Sequence, residues 1–320
     1  MDVFFYEAFE EEATELRNLL GTSISYDLSE KTLQDTGHRE PPARLISVRT
    51  QSIIPPAWAD KIDGVLSRST GYDHLVVFRG QISRKLPCGY LDEYASRAVG
   101  EQAMLLTLSL FRKLPQQMKQ FGAFERDGLT GLECIGRNLL VVGVGRIGSE
   151  IVKIANGMGF VVRGVDIVPD KPNVSYVSRD EGIGWADVIV CSMNLTPENR
   201  GYFNYPLLSK ARNGTMFVNI ARGEHSPLSD LARLVEEGHL GGVGLDVYED
   251  EQKLATALRN PSANSGVGLD ALKRLQRHEN VILTPHNAFN TTDAVKRKSQ
   301  MSVEQVKHFL RHKDFIWKLS

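Results

Sequence analysis

The sequence predicts an α/β protein built on two parallel sheets, and three observations carry that expectation. A chain of 320 residues is too long for one typical hydrophobic core and comfortable for two. Short apolar runs alternate with helical or loop segments over most of its length, the pattern of strands joined by crossovers. The third observation is a complete βαβ unit compressed into Asn138 to Asp166, NLLVVGVGRIGSEIVKIANGMGFVVRGVD.

That unit organises the rest of the chain. Leu139 to Val142 is aliphatic without polar interruption, as a strand covered on both faces reads. Gly143-Val-Gly145-Arg-Ile-Gly148 follows at once, and its glycines meet three demands for a missing Cβ. One turns tightly out of the strand, one lets a pyrophosphate approach the backbone, and one lets the next helix pack on the strand. The helix, Arg146 to Met158, aims its free amides and positive dipole end at that pyrophosphate. Phe160 to Val165 forms the second strand and ends in Asp166, eighteen residues beyond Gly148. A carboxylate there accepts hydrogen bonds from the adenosine ribose hydroxyls and repels a 2′-phosphate, so the pattern implies NAD in preference to NADP. Ile167-Val-Pro169 offers no arginine to reverse that preference, although Lys171 lies near.

The other elements follow in order. Val3 to Tyr6 reads as a strand, Glu7 to Leu20 as an acidic helix with Ala8, Phe9, Leu16, Leu19 and Leu20 for its inner face, and Ser23 to Tyr26 as a second strand. Leu45 to Val48 and Gly64 to Ser67 add two more, which makes a smaller parallel sheet. The last of these runs into Arg68-Ser-Thr-Gly-Tyr-Asp-His74, at the carboxyl end of a strand, where open parallel sheets bind ligands; a plain strand-to-helix turn is the alternative. Glu93 to Leu114 is a long helix closed by Pro115, with Val99, Met104, Leu105, Leu108 and Phe111 along it, and its length suits a connector between domains. Ala186 to Cys191, Thr215 to Ile220, Gly242 to Leu245 and Val281 to Leu283 are buried strands. Each delivers polar or ionisable residues at its carboxyl end: Ser192 to Asn199, Ala221-Arg222-Gly223, Asp246, and Thr284-Pro285-His286. A doubly wound sheet gathers all of them along one edge, beside the cofactor.

Composition narrows the function classes. Apolar residues at 42% and charged residues at 24% are ordinary for a globular protein. A net charge of -1 supplies no field to draw nucleic acid or an anionic membrane. Cys88, Cys134 and Cys191 are far apart, with no CxxC pair, so neither a metal site nor a disulfide framework is indicated, and a reducing cytoplasm fits. The N-terminal residues do not read as a signal peptide, and no run approaches the roughly 18 apolar residues of a membrane span.

With the glycine loop, Ala221-Arg222-Gly223, Asp246-Val-Tyr-Glu-Asp-Glu251 and Thr284-Pro-His286 in this order, the chain resembles the D-isomer-specific 2-hydroxyacid dehydrogenases. It is most similar to their D-lactate dehydrogenase branch through Arg68 to His74, Tyr94 seven residues before Glu101, and Thr284-Pro-His-Asn-Ala-Phe289. The resemblance implies two Rossmann-like domains with parallel sheets. The substrate domain is formed from residues 1–103 and 291–320, and the NAD-binding domain, 104–290, is inserted into it; a last helix from about Thr292 to His312 crosses back. It also implies a homodimer and a small 2-oxo or 2-hydroxy acid as substrate, pyruvate and D-lactate first, with NAD as cofactor.

The resemblance assigns roles residue by residue. Arg222, by type alone equally suited to a surface ion pair, becomes the residue that holds the substrate carboxylate and polarises the keto oxygen. His286, which alone could be a core or loop histidine, becomes the acid/base. Glu251 is its carboxylate partner, chosen over Glu249 and Asp250 because the family's acid stands five residues after the strand-end aspartate, here Asp246. Asp246 meets the nicotinamide end of the cofactor. The backbone at Ser69, Thr70 and Gly71 binds the substrate carboxylate, and the Tyr94 hydroxyl reaches it while the ring walls the side-chain pocket. Arg146 and Ile147 present amides to the pyrophosphate, and Met193, Asn194, Asn199, Ile220 and Ala221 line the cofactor. Departures from the family pattern fall at Ser192-Met193-Asn194 and at Gln102, and Asn290 stands where lactate-specific relatives often place a tyrosine. A reading from another class is an NAD(H)-sensing binding protein of the corepressor type on this fold; the presence of Arg222, Glu251 and His286 together favours the enzyme. The formate dehydrogenase branch is disfavoured because it replaces the paired acid with glutamine.

Overall fold

The structure, a computed structural model, describes residues 1–259 and 267–319. Its chain forms two compact units, Met1–Ala95 with Asn290–Ser320, and Ser96–Phe289.

The first unit holds five parallel strands: β1 (Val3–Phe5), β2 (Tyr26–Leu28), β3 (Leu45–Val48), β4 (Gly64–Ser67) and β5 (Cys88–Gly89), in the order β2-β1-β3-β4-β5. β1, β3 and β4 are buried throughout, which is why their sequences are apolar apart from Ser47 and Ser67. β2 lies at the edge with a half-exposed pattern, and β5 has only two residues. Apolar patterning therefore misplaces the first, which begins at Tyr26 instead of Ser23, and misses the second. The helix Glu10–Leu20 starts three residues later than expected. The cause is Glu7, whose φ of 54° breaks the helical path and whose buried carboxylate accepts from the amides of Arg49 (2.9 Å), Gln51 (3.2 Å) and Ser52 (3.1 Å). Glu10–Leu20 packs against the long helix Thr292–His312.

The second unit holds β6 (Asn138–Val142), β7 (Val161–Val165), β8 (Ser175–Tyr176), β9 (Val188–Cys191), β10 (Thr215–Asn219), β11 (Leu240–Leu245) and β12 (Val281–Leu283). All pair parallel, in the order β12-β11-β10-β9-β6-β7-β8. The chain winds outward from β6 through β7 to β8, then returns to β9 on the other side of β6. The carboxyl ends of β6 and β9 therefore flank a topological switch point, where sheets of this kind bind ligands. The expected connector helix is shorter, Ser96–Phe111, because Lys113 takes a φ of 51° and a second helix begins at Leu114. Pro115 lies in the first turn of that second helix, where its missing N–H costs nothing, so it opens a helix where a stop was expected. Ser96–Phe111 packs on Arg146–Gly157 and against β10 and β11, so the whole helix belongs to the second unit. The first division between the units falls at Ala95 and Ser96. No helix among the described residues is long and apolar enough to cross a membrane.

Candidate active site

The loop after β6 shows why its glycines are needed. Gly143 has a φ of 93°, and a Cβ there would lie 2.7 Å from the Met193 amide nitrogen. A Cβ on Gly148 would lie 2.1 Å from the Gly143 carbonyl oxygen. Gly145 faces open space instead, and it caps the helix Arg146–Gly157, in whose first turn stand exposed Arg146 and half-buried Ile147. Crowding at two glycines with room at the third is the shape a pyrophosphate cradle requires, so these residues fit a dinucleotide. Asp166, at the end of β7, is half-buried; it accepts from the Val144 amide (2.5 Å) through one oxygen and from the Val168 amide (2.9 Å) through the other. A carboxylate has about four lone-pair sites, so both oxygens can also accept from a ribose. Asp166 thus braces the glycine loop from the end of β7.

After β9, the Ser192 hydroxyl donates to the Gly143 carbonyl (2.6 Å) and Met193 backs the same loop. Asn194 is exposed, and Asn199 spends its amide inside the segment: Nδ2 donates to the Asn194 carbonyl (2.7 Å) and Oδ1 accepts from the Thr196 amide (2.8 Å).

After β10, Ile220 and Ala221 are buried and Arg222 is half-buried, its guanidinium donating to the Ala221 carbonyl (2.8 Å). The turn is shaped by Asn219, a fully buried residue the sequence reading passed over. Its Nδ2 donates to the Arg222 carbonyl and to Ser226 Oγ, both at 2.9 Å, and its Oδ1 accepts from the Ala221 amide (3.0 Å). Gly223 explains how this turn meets the next: a Cβ there would sit 1.8 Å from the carbonyl carbon of Tyr248. Any side chain at 223 would push the Arg222 turn off the segment that leads to Glu251.

The turns after β11 and β12 carry the ionisable set. Glu251, first residue of the helix Glu251–Arg259, places its two oxygens 2.7 and 2.9 Å from His286 Nδ1. Among the described residues His286 Nε2 has no hydrogen-bond partner. The neighbouring acids are engaged elsewhere or exposed. Asp250, at a φ of 51°, pairs with Lys253 (3.0 Å), while partial burial, and then the charge of Asp250, raise the Glu249 carboxyl above its ordinary range. His286 itself has a φ of 50°, a conformation that costs a non-glycine residue about 1–3 kcal/mol and persists only where its surroundings impose it. Asp246 imposes it. Fully buried, it accepts from Thr284 Oγ1 (2.6 Å) and from the amides of Asn287 and Ala288 (both 2.9 Å). Burial raises its carboxyl above the ordinary range even though those donors and His286 oppose the shift. The Tyr248 hydroxyl adds a bond to the Thr284 carbonyl (2.7 Å), and Gln102 Nε2 reaches Thr284 Oγ1 at 3.5 Å. Clamping of the histidine turn by Asp246 and Tyr248 is invisible in sequence, because nothing local marks which strand end an acid will embrace.

In the first unit, the turn after β4 is fixed from both sides. Ser69 Oγ lies 2.6 Å from Ser67 Oγ and donates to the Gly71 carbonyl (2.7 Å), Thr70 Oγ1 donates to the Asp92 carbonyl (3.0 Å), and the Leu91 amide donates to the Ser69 carbonyl (3.1 Å). Among the described residues, no protein group accepts from the amides of Ser69, Thr70 and Gly71. Tyr94 is buried, and its carbonyl accepts from Arg297 Nε (2.8 Å). No group of His, Cys, Asp or Glu among the described residues could hold a metal ion.

Comparison with known proteins gives this arrangement a context. A sequence model described as D-isomer specific 2-hydroxyacid dehydrogenase, NAD binding domain, matches residues 103–288. The chain is 32% identical over 222 residues to the aromatic 2-oxoacid reductase of Clostridium sporogenes (strain ATCC 15579), covering 68% of this chain and 66% of that protein. It is 30% identical over 219 residues to the D-lactate dehydrogenase of Escherichia coli (strain K12), covering 67% and 66%. The matched stretch thus spans just under two thirds of the length of these relatives. Among solved structures, D-lactate dehydrogenase from Aquifex aeolicus complexed with NAD and lactic acid shares the fold, with a TM-score of 0.86 over 100% of both chains at 24% identity.

Proposed function

The chain belongs to the D-isomer-specific 2-hydroxyacid dehydrogenases, and we propose that it is an NAD-dependent enzyme that reduces a 2-oxo acid to the D-2-hydroxy acid. The observation that carries this reading is the His286–Glu251 pair, 2.7 Å apart, at the carboxyl edge of the sheet that also bears the glycine loop. Bound NADH supplies the hydride for the keto carbon. The Arg222 guanidinium holds the substrate carboxylate and draws electron density onto the keto oxygen, and in the first unit the amides of Ser69, Thr70 and Gly71 offer donors of the kind a carboxylate takes. Protonated His286 gives its Nε2 proton to the keto oxygen as the alcohol forms, and the neutral imidazole then recovers a proton from water. Glu251 accepts from Nδ1–H, which leaves Nε2 to face the substrate. Asp246 and Tyr248 keep the histidine turn in its strained conformation, so no reorganisation is needed at the moment of transfer.

Pyruvate is the proposed first substrate, with larger 2-oxo acids accepted. Asn290, exposed beside Phe289, adds no aromatic wall there, and a pocket discriminates each methylene by only about 1–3 kcal/mol. The relatives' names span both a small and an aromatic substrate, which agrees with a graded preference. NADH oxidation against a panel from pyruvate to phenylpyruvate, with chiral analysis of the product, tests the reading. D-configured product from several members is expected; L-product, or no turnover of any member, overturns it. A cytoplasmic homodimer completes the proposal. Leu114, Met118, Phe121 and Phe124 expose 42%, 72%, 74% and 74% of their surface along one segment of the second unit, an apolar patch suited to burial against a second copy.

A further inference from the structure

A cluster of buried polar groups that the proposed chemistry does not use adjoins the Ser69–Gly71 turn. Arg68 is completely buried, directly after β4 and directly before the three amides. Its guanidinium reaches three separate elements: Nε donates to Glu12 Oε1 of the helix Glu10–Leu20 (2.9 Å), Nη1 to Ser47 Oγ of β3 (3.0 Å), and Nη2 to the Tyr6 carbonyl beyond β1 (2.6 Å). Its backbone amide donates to the Val48 carbonyl (2.8 Å), and its guanidinium lies 5.5 Å from the Phe5 ring centroid. On the other side of Glu12, buried Lys298 of the helix Thr292–His312 stands 2.9 Å from Oε2. Arg49 adds a third cation to the field around Glu12.

Two features make this more than structural glue. A residue bonded to three elements through its side chain, and again to one of them, β3, through its backbone, fixes the direction of the peptide that follows it. The next three amides are those left without a protein acceptor.

We infer that Arg68 is a positioning residue for substrate: it holds the Ser69–Gly71 amides in the directions a carboxylate needs, while Glu12, Ser47 and the Tyr6 carbonyl compensate its burial. This inference rests on the proposed function for its substrate. It does not depend on that function for its structural consequence, and the test separates the two.

Arg68→Met and Lys298→Met each leave one cation opposite Glu12, so they perturb charge balance alike, but only the first releases the turn. Arg68→Met is expected to raise the KM for the 2-oxo acid roughly tenfold to a hundredfold, the scale set by misplacing a substrate by about 1 Å. NADH affinity, read by fluorescence, stays unchanged, and in Lys298→Met the KM stays within about twofold of wild type. Hydrogen exchange of the peptide spanning Ser67 to Asp73 accelerates in Arg68→Met and not in Lys298→Met, a readout that needs no substrate. Equal KM effects in the two variants, or unchanged exchange in folded Arg68→Met, overturn the inference. If Arg68→Met does not fold, Glu12→Gln, which weakens the bond to Arg68 Nε with little change of shape, takes its place under the same outcomes. A wild-type protein that turns over no 2-oxo acid defeats the proposed function and leaves the exchange result to decide the role of Arg68.

Discussion

Each unit contains an acid paired with a base, and the two pairs differ in one physical respect. In the first unit Glu12 faces Arg68 and Lys298 with side chains exposed by no more than 2%. In the second, Glu251 faces His286 with exposures of 24% and 26%. Burial locks the first pair: removing one partner there would strand a charge in low dielectric, so the pair holds structure. Partial exposure leaves the second within reach of water and substrate, which proton exchange requires. The contrast shows that an ion pair is recognised as catalytic or structural by its access to solvent and by what its unused atoms face, not by the residue types.

The sharpest way to break the contrast is to remove one member of each pair. His286→Ala is expected to lower kcat by roughly 10²- to 10⁴-fold while thermal unfolding and NADH binding stay near wild type. A large fall in melting temperature would move this histidine into the structural class. Glu12→Ala should do the reverse, destabilising by about 3–5 kcal/mol in denaturant unfolding because two buried cations lose their partner. A stability change under about 1 kcal/mol would show that Glu12 is not essential to the buried cluster.

A smaller effect separates the pairs by pH. Burial alone would raise the Glu12 carboxyl, but Arg68, Lys298 and Arg49 outweigh it and hold the group at about 2, below its ordinary 4.5. A depressed folded-state value means that this stabilisation is present above 4.5 and is lost as pH falls toward 2. Unfolding free energy should therefore drop across that window in wild type, and the drop should shrink in Glu12→Gln; equal slopes would refute the assignment. The mildest expected effect lies at the cofactor. Asp166→Asn should narrow the preference for NADH over NADPH by about 1 kcal/mol, since it removes a repulsion but keeps a hydrogen-bonding side chain. Steady-state kinetics with both cofactors measure it, and an unchanged ratio assigns Asp166 only to bracing Val144 and Val168.

Local physics determined the parts legible in sequence. β3 and β4 stand where the apolar runs put them, because burial on both faces of a strand writes itself into consecutive residues, and the helix Thr292–His312 matches the bounds that the resemblance implies. The glycine loop was legible for the same reason: Gly143 and Gly148 answer to atoms contributed largely by their own βαβ unit and the strand beside it. Edge strands β2 and β5 were not, since an edge is half-exposed or too short to carry a pattern. Spacing nominated Glu251 over Glu249 and Asp250, but only the fold brings one of them to within 2.7 Å of His286. The clamp of Asp246 on the 284–288 turn, the shaping of the Arg222 turn by Asn219, and the burial of Arg68 among Glu12, Ser47 and Tyr6 were decided by tertiary structure alone. Each joins groups separated by a crossover or by many residues, and a sequence records a residue's type without recording which distant donor will meet it once the strands have been ordered.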